Sequence, residues 1–149
     1  MKLSKIYKQI LKESEEIYKS AGAIIIAKDS GKALLQFRSN MVDNPLVWST
    51  FGGGKEEGET IEDCCKREIE EETGYSGSIK LEKLYIYKND NFEYHTFIAV
   101  IPKEFIPKQN FETLIFQWFD PGIWPVKKHP GFEEMLNDEK VKKKLEKVI

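Results

Sequence analysis

Cysteine is scarce: the 149-residue chain has two, at adjacent positions 64 and 65. Neighbouring Cα atoms lie about 3.8 Å apart, short of the usual disulfide span, which argues against a structural disulfide. Soft-metal sites use spaced Cys or His ligands, and none lie nearby, so Cys64 and Cys65 read as small buried side chains. Long apolar runs are missing too. The longest, Ala21 to Ala27, falls far below the roughly 20 residues that span a bilayer. The N-terminus is polar and lysine-spaced without a signal-peptide core, so the expected location is cytoplasmic. A formal net charge of -2 offers no general attraction to nucleic acid or to an anionic membrane, and neither is an expected partner. An anionic substrate would need local features to hold it, cations above all. Oligomeric state is left open. With 10 Gly and 6 Pro, 40% hydrophobic and 32% charged residues, the composition is that of a globular chain. Its length suits one domain, able to bury about 70% of its unfolded surface.

Leu3, Ile6, Tyr7, Ile10, Ile17 and Tyr18 recur near helical spacing, which predicts an amphipathic helix over residues 1–19 packed on the core. Residues 20–149 form the single main domain. Ala21 to Ala27 reads as a buried strand. The turn residues Lys28 to Lys32 join it in a hairpin to a second strand, Ala33 to Arg38. A loop around Asn40 to Pro45 and a short apolar stretch, Leu46 to Phe51, lead to Gly52-Gly53-Gly54. Three glycines in a row are poorly suited to the interior of a strand or helix, so a bend is expected there. From Thr60, Ile61, Cys64, Cys65 and Ile69 recur at helical spacing, with Thr60 able to cap the start and Gly74 to end the helix left-handed. Strands are expected over Lys80 to Tyr87 and Phe92 to Ile101, joined through Asn89-Asp90-Asn91, with a short one over Phe116 to Phe119. From Gly131 the lysine-rich tail reads as a broken amphipathic helix against the sheet.

The central helix gathers Glu68, Glu70, Glu71 and Glu72. Residues three and four apart share a face, so Glu68, Glu71 and Glu72 point one way. Like charges at that spacing destabilise a helix by a few tenths of a kcal/mol per pair. Hard divalent cations prefer oxygen ligands, and magnesium is held by a few carboxylates with phosphate oxygens and water, which suits this face. By itself the cluster fits a solvated acidic face as readily. The surrounding spacing decides: Gly53, five residues, Glu59, seven residues, then Arg67-Glu68-Ile69-Glu70-Glu71-Glu72-Thr73-Gly74-Tyr75. This resembles the Nudix box, G-x5-E-x7-R-E-U-x-E-E-x-G-U with U a bulky apolar residue. Seven identities and two apolar positions over 23 residues are all filled.

The resemblance implies an α/β fold, the Nudix-type α/β/α sandwich with a mixed sheet, here with an extra N-terminal helix. It implies a metal-dependent hydrolase of a diphosphate linkage. Glu68, Glu71 and Glu72 would bind magnesium or manganese, with the Gly52 carbonyl as a further ligand, while Glu59 and Arg67 brace and orient them. Phe51 departs from the family, where many members carry proline before the glycine pair; the expected effect is on loop stiffness. Relatives use another glutamate from a later loop as ligand or base, and Glu112 stands in a similar position. Arg38, at the end of the second strand, matches a phosphate-contacting arginine. Proton acceptance from water is expected of Glu68 or Glu112.

His95 and His129 read as half-buried or loop residues rather than bases. Trp48, Phe92, Tyr94, Trp118 and Trp124 read first as core. The box handles only the diphosphate, so the substrate must be chosen elsewhere. No proline lies where relatives specialised for ADP-ribose carry one, and Phe92 and Tyr94 stand near the aromatic of dinucleoside polyphosphate hydrolases. The expected substrate is therefore a nucleoside diphosphate linked to a second group, a dinucleoside polyphosphate or nucleotide sugar. The alternative is a MutT-like nucleoside triphosphate pyrophosphohydrolase. A non-catalytic nucleotide-binding module ranks below both, because no ligand glutamate is missing.

Overall fold

Small and branched apolar residues alternate along the first long strand, and both of its faces are buried. In the computed structural model, which describes residues 4–7 and 17–148, β1 (Tyr18–Ala27) lies in the middle of a seven-stranded sheet. It pairs in parallel with β6 (Phe92–Ile101) along its full length, and antiparallel with β2 (Ala33–Arg38) and β4 (Phe51–Gly54). β2 also carries β3 (Trp48–Ser49) and β7 (Thr113–Phe119), and β5 (Lys80–Lys88) forms a hairpin with β6. The sheet is therefore mixed, as expected.

One face packs on α1 (Ile61–Thr73): Ala21, Ala23, Ile25, Phe51 and Phe97 meet Cys64, Cys65 and Ile69 in a single core. The other face packs on α2 (Pro130–Leu136) and α3 (Glu139–Val148), where Ile24, Ile26, Leu35 and Ile98 meet Phe132, Met135, Val141 and Leu145. These three layers make the α/β/α sandwich. The tail helix is broken in two, with Asn137 closing α2 and Asp138 accepting from the backbone of Lys140 and Val141 at the start of α3.

Two expectations need correction. Tyr18, read as helical, begins β1, because it pairs beside Phe92 and stacks on its ring at 6.0 Å. Residues 4–7 are helical and exposed, and the rest of the proposed N-terminal helix lies outside the described residues. The glycine run does not break the sheet: Gly52, Gly53 and Gly54 form β4, opposite Gly22, Ala21 and Ser20. Its neighbours explain why. A Cβ on Gly52 would fall 2.0 Å from the Tyr94 hydroxyl, and one on Gly54 would fall 2.2 Å from that of Tyr18. At Gly52 the neighbouring backbone is close too, 2.6 Å to the Ala21 carbonyl and 2.7 Å to the Gly22 Cα, so the strands leave no room there for a side chain.

Candidate active site

α1 begins and ends on signals in its own residues. The Thr60 hydroxyl accepts from the Asp63 backbone N–H at 3.0 Å, and Gly74 closes the helix with φ 80°. Glu62 and Asp63 suit the positive N-terminal end, but the last turn holds Glu70, Glu71 and Glu72 and no basic residue. Acids at a helix C-terminus oppose the macrodipole, so the fold bears an electrostatic cost at this end.

Arg67 ties this helix to the glycine strand. Its Nε and Nη2 donate to the two carboxylate oxygens of Glu59 at 2.7 and 2.9 Å, and Nη2 also donates to the Gly54 carbonyl at 2.8 Å. Nη1 reaches Glu68 at 3.0 Å and Glu71 at 3.2 Å. The guanidinium hydrogen bonds pull the Glu59 carboxyl down to about 2. Glu59 in turn accepts from the Glu56 backbone N–H, which pins the loop before the helix.

Glu72 accepts from the Gly52 backbone N–H at 2.8 Å. Burial pushes its carboxyl up to about 8, against that hydrogen bond, and the charges of Glu68 and Glu112 add to the rise. Burial first, then the charge of Glu71, also raises Glu68 against the pull of Arg67. Glu68, Glu71, Glu72 and Glu112 line one cavity of about 210 Å³, together with Asn110 and Phe111. The loop carrying Glu112 is held there by Asn110, whose amide donates to the Glu72 carbonyl at 2.8 Å and whose oxygen accepts from the Glu112 backbone N–H. Asn110 escaped the sequence reading because it matches no motif; its position between two acidic segments is the only cue.

A second cavity, of about 500 Å³, lies between the sheet and α2; Glu72 lines this one as well, and Gly52 lines it beside Glu72. Its apolar wall is Tyr85, Tyr87, Phe92 and Tyr94, and Arg38, Ser49, Thr50, His129 and Glu134 supply polar groups. Phe92 sits 6.4 Å from both Tyr87 and Tyr94. Phe92 and Tyr94, read first as core, therefore face open space. Trp48, Trp118 and Trp124 are packing residues against Phe119, Phe105 and Phe132. Arg38 borders the cavity, but its Nε and Nη2 donate to the carbonyls of Asp43 and Asn44, so part of its capacity organises the β2–β3 loop. His129 Nδ1 accepts from the Gly131 N–H, leaving Nε2 to carry the ring proton, and burial lowers its basicity. His95 lies outside both cavities, with Nε2 buried and lacking a hydrogen-bond partner among the described residues.

The donor set suits a hard divalent cation: four carboxylates meet at one cavity, and its nearest cation, Arg67, is already engaged by Glu59. Among the described residues, no three acidic, imidazole or thiol groups are already gathered as a metal cage. Glu68 and Glu71 instead accept from Arg67, and Glu72 from Gly52.

The NUDIX domain family profile matches residues 18–137, and the chain belongs to this family: it is a Nudix hydrolase. It is 32% identical over 124 residues to a Bacillus subtilis (strain 168) protein provisionally named an 8-oxo-dGTP diphosphatase, a match covering 82% of this chain and 80% of the relative. A NUDIX hydrolase structure from Nitrosomonas europaea is similar at TM-score 0.67 and 21% identity, covering 84% of this chain and 70% of that one. A MutT NUDIX hydrolase from Burkholderia pseudomallei is similar at 0.65 and 20%, over 84% and 99% of the two chains. At these identities the structural likeness concerns the fold alone.

Proposed function

We propose that the protein hydrolyses nucleoside triphosphates to the monophosphate and pyrophosphate, with Glu68, Glu71, Glu72 and Glu112 holding magnesium or manganese beside the Gly52 carbonyl. The observation that carries this reading is that Glu72, which accepts from the Gly52 backbone N–H, borders both cavities. A nucleoside in the aromatic cavity then brings its phosphates to the carboxylates. When bound, the cation supplies positive charge to the phosphate oxygens and acidifies the attacking water. Arg67, fixed by Glu59, orients Glu68 and Glu71. Proton acceptance falls to Glu68 or Glu112, both of which line this cavity. Arg38 and His129 both line the nucleoside cavity and suit phosphate or sugar oxygens.

A cavity of about 500 Å³ is sized for one small ligand. It would hold one nucleoside and leave the second half of a dinucleoside polyphosphate outside. The Bacillus subtilis relative's name points the same way, so the triphosphate reading replaces the dinucleoside polyphosphate as the favoured substrate, with 8-oxo-dGTP among the candidates. The test is product analysis over deoxynucleoside triphosphates, dinucleoside polyphosphates and ADP-ribose with magnesium. Higher kcat/KM for triphosphates supports the reading, and a clear preference for either of the other groups overturns it.

A further inference from the structure

The nucleoside cavity combines an apolar wall with polar groups from several elements. Arg38, Glu72 and His129 line it together, and of these Glu72 also borders the carboxylate cavity. One other acid lines this cavity among the described residues, Glu134 on the exposed side of α2, and it does not border the carboxylate cavity. It faces β5: burial first and then the Glu134 charge raise the Tyr85 hydroxyl. Tyr85, Tyr87 and Phe92 form the apolar wall beside it. With the phosphates of a nucleotide at Glu72, Glu134 is the acid of this cavity left for the edge of a base against that wall.

We propose that Glu134 is a specificity-determining residue that selects guanine, a step that rests on the reading of this cavity as the nucleoside site. A carboxylate has two acceptor oxygens and no donor, and pairs best with two adjacent donors. Among the common bases only guanine presents them, as N1–H beside the 2-amino group, and 8-oxoguanine keeps both. Adenine offers a single amino group next to the N1 acceptor, whose lone pair opposes the carboxylate. Cytosine has the same arrangement at N3, and thymine has a single N–H between two carbonyls. The aromatic wall stacks any base, so discrimination falls to the edge contact.

The test compares kcat/KM for dGTP, dITP and dATP in the wild type and in Glu134→Gln, with Glu133→Gln, one position away and outside the cavity lining, as control. A bidentate contact gives about 10- to 100-fold discrimination. The wild type should favour dGTP over dATP by that factor, with dITP between them because it lacks the 2-amino group. Glu134→Gln should bring the three within a few-fold, and Glu133→Gln should keep the wild-type order. Equal wild-type values, or an unchanged preference in Glu134→Gln, would overturn the role of Glu134. Binding of dGMP and dAMP, measured by titration calorimetry, reads the base contact without hydrolysis. Tighter dGMP binding that Glu134→Gln abolishes upholds the inference even where triphosphates are not turned over. Equal binding refutes it even where they are.

Discussion

At the scale of single residues, Glu72 is the most telling group, because it is the most deeply buried acid of the cluster and touches both cavities. Glu72→Gln keeps the shape and the acceptor for the Gly52 N–H but removes a charge. It should lower turnover by about 10²-fold or more without unfolding the protein, checked by steady-state kinetics alongside circular dichroism. Its raised carboxyl sets the pH dependence of the metal-free protein. An acid whose folded value, about 8, lies above its ordinary 4.5 holds its proton more tightly when folded. Its contribution to stability is complete below 4.5 and disappears as pH rises through about 8. Melting temperature measured in chelator should therefore fall between those limits in the wild type and fall less in Glu72→Gln; parallel curves would show that Glu72 is not the titrating group. Arg67 invites the complementary test. Its planar fork spans Glu59, Gly54, Glu68 and Glu71 at once, and a lysine cannot. Arg67→Lys should cost about 1–3 kcal/mol in chemical denaturation and raise the magnesium concentration needed for half-maximal activity.

Among the elements, the pair of β4 and α1 decides how the site is built. A Cβ on Gly53 would lie 2.6 Å from the Glu68 carboxylate, the movable end of a side chain, whereas one on Gly52 would also lie 2.6 Å from the Ala21 carbonyl and 2.7 Å from the Gly22 Cα. Gly53→Ala should therefore leave the melting temperature close to wild type while lowering turnover, because Glu68 is displaced. Gly52→Ala should destabilise by about 1–3 kcal/mol, because backbone cannot give way. Equal melting temperatures for the two variants would contradict the packing. How far the sequence reveals the fold differs by element. α1, with its Thr60 cap, apolar stripe and Gly74 stop, is readable because helix signals are local. β4 is not, since glycine is tolerated there only through Tyr94 and Tyr18, residues remote in sequence. The carboxylate cavity is legible because its spacing lies within one helix, with Glu112 added by likeness. Tyr85 and Tyr87 on β5, and His129 and Glu134 at α2, lie on two elements of ordinary composition far apart in sequence, and only folding brings them to one cavity.

For the whole molecule, the sandwich brings a carboxylate cavity, between α1 and the loop of Asn110 to Glu112, and an aromatic cavity, between the mixed sheet and α2, to meet at Glu72. Rules of stability are broken mainly at their junction: acids crowd the negative end of α1, and Glu72 is buried with a raised carboxyl. Such conflicts concentrate where function requires them. Among the described residues no helix is long and apolar enough to cross a membrane. Magnesium should raise the melting temperature of the wild type more than that of Glu72→Gln, since ligands bound to the folded state stabilise it by mass action; equal shifts would argue against a shared metal site. The most direct measurement of the central claim follows the products of dGTP with magnesium over time, for the wild type and Glu72→Gln. The account predicts dGMP and pyrophosphate in equal amounts from the wild type, and a rate lower by about 10²-fold or more from the variant. Release of orthophosphate with dGDP, or undiminished hydrolysis by Glu72→Gln, would contradict it.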